Sequence, residues 1–136
     1  MEYKVQRQLT AAIENVPGRL AAICETISQQ DINIEGICVV DNVEQGVIRM
    51  LTSQPAEVKR LLLEQQIYVV EADVLCVELT DQLGALSTIS ACLAVDNINI
   101  DYLYCTSTNE GERTKIVFKV SDLASAQRIL GELEVG

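Results

Sequence analysis

The second half of this chain repeats the first. A shift of 66 residues lays Gly18 on Gly84, Leu20 on Leu86 and Ile23 on Ile89, and Ile32, Asn33 and Ile34 on Ile98, Asn99 and Ile100. Six of the 17 positions from Gly18 to Ile34 are identical under that shift. A shift of 68 continues the match, pairing Ser53 with Ser121, Ala56 with Ala124, Leu61 with Ile129 and Leu62 with Leu130. The two extra residues fall around Gly46 and Gly111, where a longer hairpin loop absorbs them at little entropic cost. A repeat of this kind divides the 136 residues into two units of one architecture, 1–72 and 73–136.

Each unit has the same order of patterns. Val5–Ile13 and Val74–Leu79 alternate partially and are rich in β-branched residues, which predicts strands. Leu20, Ile23, Cys24 and Ile27 make one helical stripe, repeated by Leu86, Ile89 and Leu93. Two further strand-like stretches follow in each unit, then the helices of "PAEVKRLLLEQQ" and "DLASAQRILGEL". Pro55 suits a first helical turn and Asp122 a helix cap. "IYVVEADVLCVEL" would finish the first sheet and start the second. The pattern is β-α-β-β-α-β, an α+β class of two ferredoxin-like modules, each an antiparallel sheet with its helices on one face. Only Glu134, Val135 and Gly136 follow Leu133, so the second module lacks most of its last strand. The expectation is that strand 74–79 keeps an open edge that invites another chain.

Composition narrows the function. The net charge of -10 is dispersed, with 10 acidic residues on each side of Ala72, which argues against nucleic acid and anionic membrane as partners. No stretch approaches the roughly 18 apolar residues of a membrane span, and the N-terminus has no signal-peptide core. Cys24, Cys38, Cys76, Cys92 and Cys105 are odd in number, lack C-x-x-C spacing and lie in apolar surroundings, as expected of buried free thiols in a reducing cytoplasm. Histidine is absent, which removes the usual general base and the commonest metal ligand. No metal or cofactor is expected.

The junctions "ENVPGRL" and "TDQLGAL" hold what chemistry there is. Pro17 fixes its own φ and keeps Val16 out of the helical region. Gly18 permits close backbone approach. The first amides of the next helix, around Arg19 and Leu20, have no intrahelical partner and suit a carboxylate. An alternative is purely structural: Asn15 caps the helix, Pro-Gly makes the turn, and Arg19 is a solvated helix-face residue.

"NVPGRLAAICETISQQDINI" resembles the first half of an ACT domain, the regulatory module shared by aspartate kinases, some chorismate mutase enzymes, prephenate dehydrogenases and phosphoglycerate dehydrogenases. Asn15, Pro17, Gly18, Leu20, Asn33 and Ile34 match the family's N/D-x-P-G-x-L and x-N-I pattern. Asp81, Gly84, Leu86, Asn99 and Ile100 match it again, with Leu83 where proline is usual. The whole chain is similar to small bacterial proteins made of two ACT modules. The resemblance implies an amino acid or other small regulatory ligand at the interface between paired modules. Asn15, Val16, Gly18, Arg19, Leu20, Asn33 and Ile34 would line one site. Asp81, Gly84, Ala85, Leu86, Asn99 and Ile100 would line a second. Pairing of Ile32–Val40 with Ile98–Thr106 would bring Asn33 and Asn99 to that interface. Asp81 would repel a ligand carboxylate, which favours the Asn15 site.

The resulting expectation is a non-catalytic sensor that forms a homodimer and regulates an enzyme or transporter in trans. One alternative is an oligomerisation or partner-binding module with no small ligand. Another is a small isomerase or mutase on the same fold, with Asp81, Asp101, Tyr102 and Tyr104 as its polar groups. Asp101 and Tyr102 would face opposite sides of a strand and make no obvious constellation.

Overall fold

The computed structural model describes residues 1–42, 45–80, 84–107 and 113–133. Their elements run β1 (Glu2–Glu14), α1 (Arg19–Ser28), β2 (Ile34–Asn42), β3 (Gln45–Thr52), α2 (Pro55–Glu64), β4 (Val69–Thr80), α3 (Ala85–Val95), β5 (Ile100–Ser107), β6 (Arg113–Val120) and α4 (Leu123–Glu132). This is the expected β-α-β-β-α-β order, traversed twice until the last strand.

The first compact unit is 7–72. Its strands pair antiparallel, β1 with β3 and β3 with β2. Ile23 and Ile27 of α1 and Val58, Leu61 and Leu62 of α2 are buried against Leu9, Ala11, Ile48 and Met50 of the sheet. The stripe read from the sequence is therefore the buried face, with one exception. Leu20 is 39% exposed, and its repeat mate Leu86 is 40% exposed. Both stand in the first helical turn, next to the turns that the repeat shares.

The second unit is 73–136 together with residues 1–6. Leu75, Val77, Ile89, Leu93, Phe118 and Leu130 form its core, and Met1 packs against them. Asp122 caps α4 as expected, its Oδ1 accepting the Ser125 amide at 3.1 Å. The Ser125 hydroxyl also donates to the other carboxylate oxygen, and the two bonds hold the Asp122 carboxyl below its usual range.

The open edge expected on strand 74–79 is not there. β4 has β6 on one side, with Leu75 opposite Phe118 and Leu79 opposite Thr114. On its other side it is hydrogen-bonded to β1. Residues 1–6, which the sequence division puts in 1–72, thus take the place beside β4 that the sequence reading left open. Likewise the start of β4 in 69–72 closes the first unit. The physical reason is strand length. β1 has 13 residues and β4 has 12, about twice what one module needs, so each strand serves both units.

The thiols also depart from expectation. Cys76 is buried, Cys24, Cys38 and Cys92 are half-buried, Cys105 is exposed, and none of the five is in a disulfide.

Candidate functional site

In the first module the chain turns sharply between β1 and α1. The Val16 amide donates to the Glu14 carbonyl at 2.9 Å and the Ala22 amide to the Gly18 carbonyl at 3.0 Å. Gly18 occupies the left-handed region, φ 91°, and is the residue before the helix. An L side chain would be strained there, which explains glycine at this position. Gly84 repeats the geometry at φ 86° before α3.

Neither helix has a side-chain cap. Asn15 does not cap α1, contrary to the structural reading of the junction. Its Nδ2 instead donates to Asp41 Oδ1 at 3.2 Å, tying the turn to the end of β2. The first-turn amides of α1 therefore keep no side-chain acceptor, and the helix dipole adds partial positive charge there. Arg19 stands beside them, its guanidinium 3.5 Å from the Glu14 carboxylate.

A cavity of about 280 Å³ opens at this place. Its wall includes Glu14 and Arg19 from the turn, Gln45 from β3, and Gln65, Gln66 and Ile67 from the segment after α2. Cation, anion and amide groups thus meet in a space of metabolite size. Asp41, Glu14 and the three glutamines were not among the residues singled out from the sequence. Their convergence is tertiary: Glu14 lies opposite Gln45 and Gln45 opposite Asn42 in the sheet.

Asn33 and Ile34 lie elsewhere. The Asn33 amide donates to Ser53 Oγ at 3.1 Å, and its carbonyl accepts from the Ser53 amide at 3.0 Å. Ile34 pairs with Thr52 at one end of β2, while Asn42 pairs with Gln45 at the other. Eight residue steps separate those ends, roughly 26 Å at ~3.3 Å per residue. Within one module, Asn33 and the turn cannot touch the same small ligand. Val16 is exposed at the turn.

The second module repeats the backbone. Asn99 exchanges bonds of 2.9 Å with Ser121, and its Nδ2 donates to Asp101 Oδ1 at 2.9 Å. Ala85 is buried in the core, so only its backbone is available to a ligand. Ile100 packs against the same core. Asp81 and Leu83 lie outside the described residues. A cavity among the described residues of this unit, about 140 Å³, is lined by Glu2, Tyr3, Lys4, Cys76 and Glu78 and includes no residue of the Gly84 turn. Asp101 is engaged by Asn99 and by Lys119 at 3.7 Å, and Tyr104 is buried. Among the described residues no group of three or more His, Cys, Asp or Glu side chains is placed to hold a metal. No helix among the described residues is long and apolar enough to cross a membrane.

The family model described as ACT domain pair matches residues 4–134. The chain belongs to the ACT domain pair family. The ACT modules have solved relatives of the same architecture. Protein BT0572 from Bacteroides thetaiotaomicron is 25% identical over 96% of this chain and 89% of its own, with a TM-score of 0.87. The ligand-free regulatory subunit of aspartate kinase from Thermus thermophilus is 14% identical over 97% of each chain, TM-score 0.67. The corresponding subunit from Thermus flavus is 16% identical over 96% of this chain and 94% of its own, TM-score 0.63. At these identities the two kinase subunits establish a shared fold. No curated protein is a significant match to the chain.

Proposed function

We propose that this ACT pair is a non-catalytic regulatory protein that binds a free amino acid at the turn of its first module. The observation that carries the reading is the cavity beside the uncapped first turn of α1, with Arg19 and Glu14 in its wall. An α-carboxylate is matched by the guanidinium and the first-turn amides. An α-ammonium is matched by the Glu14 carboxylate. The likeness to regulatory subunits of aspartate kinase supports action on a partner enzyme in trans. The asymmetry between Asn15 and Asp81 favours the first module as the site.

The same reading includes a homodimer through β2. That strand pairs with β3 alone among the described residues, and its Val39 is 49% exposed on the side facing α1 and α2. Antiparallel pairing of two β2 strands about Cys38 would set the Asn33 end of one copy against the Asp41 end of the other. Asn33 would then approach the turn that its own module holds far away. Val39→Asp is expected to return the dimer to monomer in sedimentation velocity, because a carboxylate would be buried at the pairing edge. A dimer of unchanged affinity would remove β2 from the interface.

Thermal unfolding against the twenty amino acids at millimolar concentration tests the ligand. Binding to the folded state alone must raise Tm, by about 2.7 kcal/mol of added stability at a hundredfold excess over Kd. Arg19→Ala is expected to abolish the shift without lowering the ligand-free Tm, since its ion pair is exposed and contributes little. If no amino acid shifts Tm, the reading fails and a partner-binding module without small ligand takes its place.

A further inference from the structure

Three glutamines wall the cavity, and one of them is held in a conformation that glutamine disfavours. Resting on the reading of the turn as the holder of the α-carboxylate and α-ammonium, we propose that the cavity selects an amino acid whose side chain ends in a carboxamide. The size agrees: about 280 Å³ is the scale of a small-metabolite cavity.

The hydrogen-bonding chemistry is specific. Gln65 is oriented by a 2.7 Å bond from its Nε2 to Thr26 Oγ1, which leaves its carbonyl oxygen to accept. The side chains of Gln45 and Gln66 have no hydrogen-bond partner among the described residues. Together they offer both donors and acceptors, the complement of a ligand carboxamide. An aliphatic or aromatic side chain would cover these amides and satisfy none of them. A second ligand carboxylate would meet Glu14 in the same wall and a chain of net charge -10.

Gln66 supplies the independent observation. It follows α2 with φ 63°, in the left-handed region. Two other helices end in the same way, and there the chain uses Asp31 and Asn97, each at φ 58°. Short polar residues tolerate this conformation, whereas glutamine is a poor choice on backbone grounds. Glycine or asparagine would serve the turn better. A side chain that lines the cavity accounts for the choice that the backbone does not.

Titration calorimetry of the full chain with L-glutamine, L-glutamate, L-leucine and L-phenylalanine tests the proposal. L-glutamine is expected to bind at least tenfold more tightly than either apolar amino acid, with L-glutamate weaker than L-glutamine. Equal or tighter binding of L-leucine, L-phenylalanine or L-glutamate would overturn the selectivity while leaving an amino-acid sensor. No binding of any amino acid would remove the sensor itself. Gln66→Gly separates a structural role from a selective one. It is expected to raise the ligand-free Tm, weaken L-glutamine at least fivefold and leave L-alanine affinity unchanged. A stabilised variant that binds L-glutamine as before would refute the assignment of Gln66.

Discussion

Deleting residues 1–6 is expected to convert the chain from a species of fixed size into one that associates with concentration. Those residues belong to the second unit, on the strand neighbouring β4. Their direct contribution to stability is small. Glu2, Tyr3, Lys4 and Val5 are exposed, Met1 is half-buried, and the Glu2–Arg113 ion pair spans 3.9 Å at the surface. Ordering six residues costs roughly 6–12 kcal/mol at about 1–2 kcal/mol each, which offsets most of what a few ladder hydrogen bonds and one methionine return. The effect on β4 is larger. "VLCVELT", Val74 to Thr80, is a β-prone, largely apolar run with no proline, and Leu75, Cys76 and Val77 are at most 1% exposed. Without residues 1–6 its amides and carbonyls face solvent as an unprotected edge. Sedimentation velocity over a concentration series is expected to show growing assemblies, reversed by adding a peptide of residues 1–8. A truncated chain that sediments like the full one would show that β4 does not depend on this strand.

This strand also marks where sequence reading stops. The repeat identified the modules because a stripe such as Ile23–Ile27 and its copy Ile89–Leu93 reports burial directly, and left-handed glycines stand at both predicted turns. The partner of residues 2–6 is encoded differently. Glu2, Tyr3, Lys4 and Val5 are exposed and Gln6 is polar, so no apolar alternation announces a buried face, and the backbone groups that pair with β4 are the same for every residue. That β4 needs a second neighbour was legible, but the neighbour came from the start of the chain. The site was partly legible for a similar reason. Gly18 and Arg19 carry their role in local geometry. Asp41 reaches Asn15 across 26 residues, and Gln45, Gln65 and Gln66 converge only through sheet register. One local sign was available: Gln66 sits just past a helix end where glycine or asparagine is the usual residue. Asn33 shows the opposite case, a motif residue whose backbone bonds to Ser53 account for its place at the start of β2.

The division of β1 between two units has a consequence for cooperativity, which Phe118→Ala brings out. Phe118 is fully buried on β6, between Leu75 of β4 and Leu103 of β5. It is the single phenylalanine of the chain. Truncation to alanine is expected to cost about 3–5 kcal/mol, a large share of the ~5–15 kcal/mol that holds an ordinary domain folded. Its repeat mate Met50 is buried between Leu9 and Ile37, and Met50→Ala should cost less, about 2–4 kcal/mol, because a thioether site relaxes more readily. Amide exchange distinguishes the two by location. Phe118→Ala lowers the opening free energy of the second unit, so protection should fall at 73–80, at 113–120 and at 2–6, while 9–14 and 45–52 stay protected longer. One continuous strand would then exchange in two blocks, with the break near Gln6 and Arg7. Uniform exchange along β1 would mean that the modules open as a single cooperative body, and that sharing β1 and β4 binds the two cores into one unfolding unit.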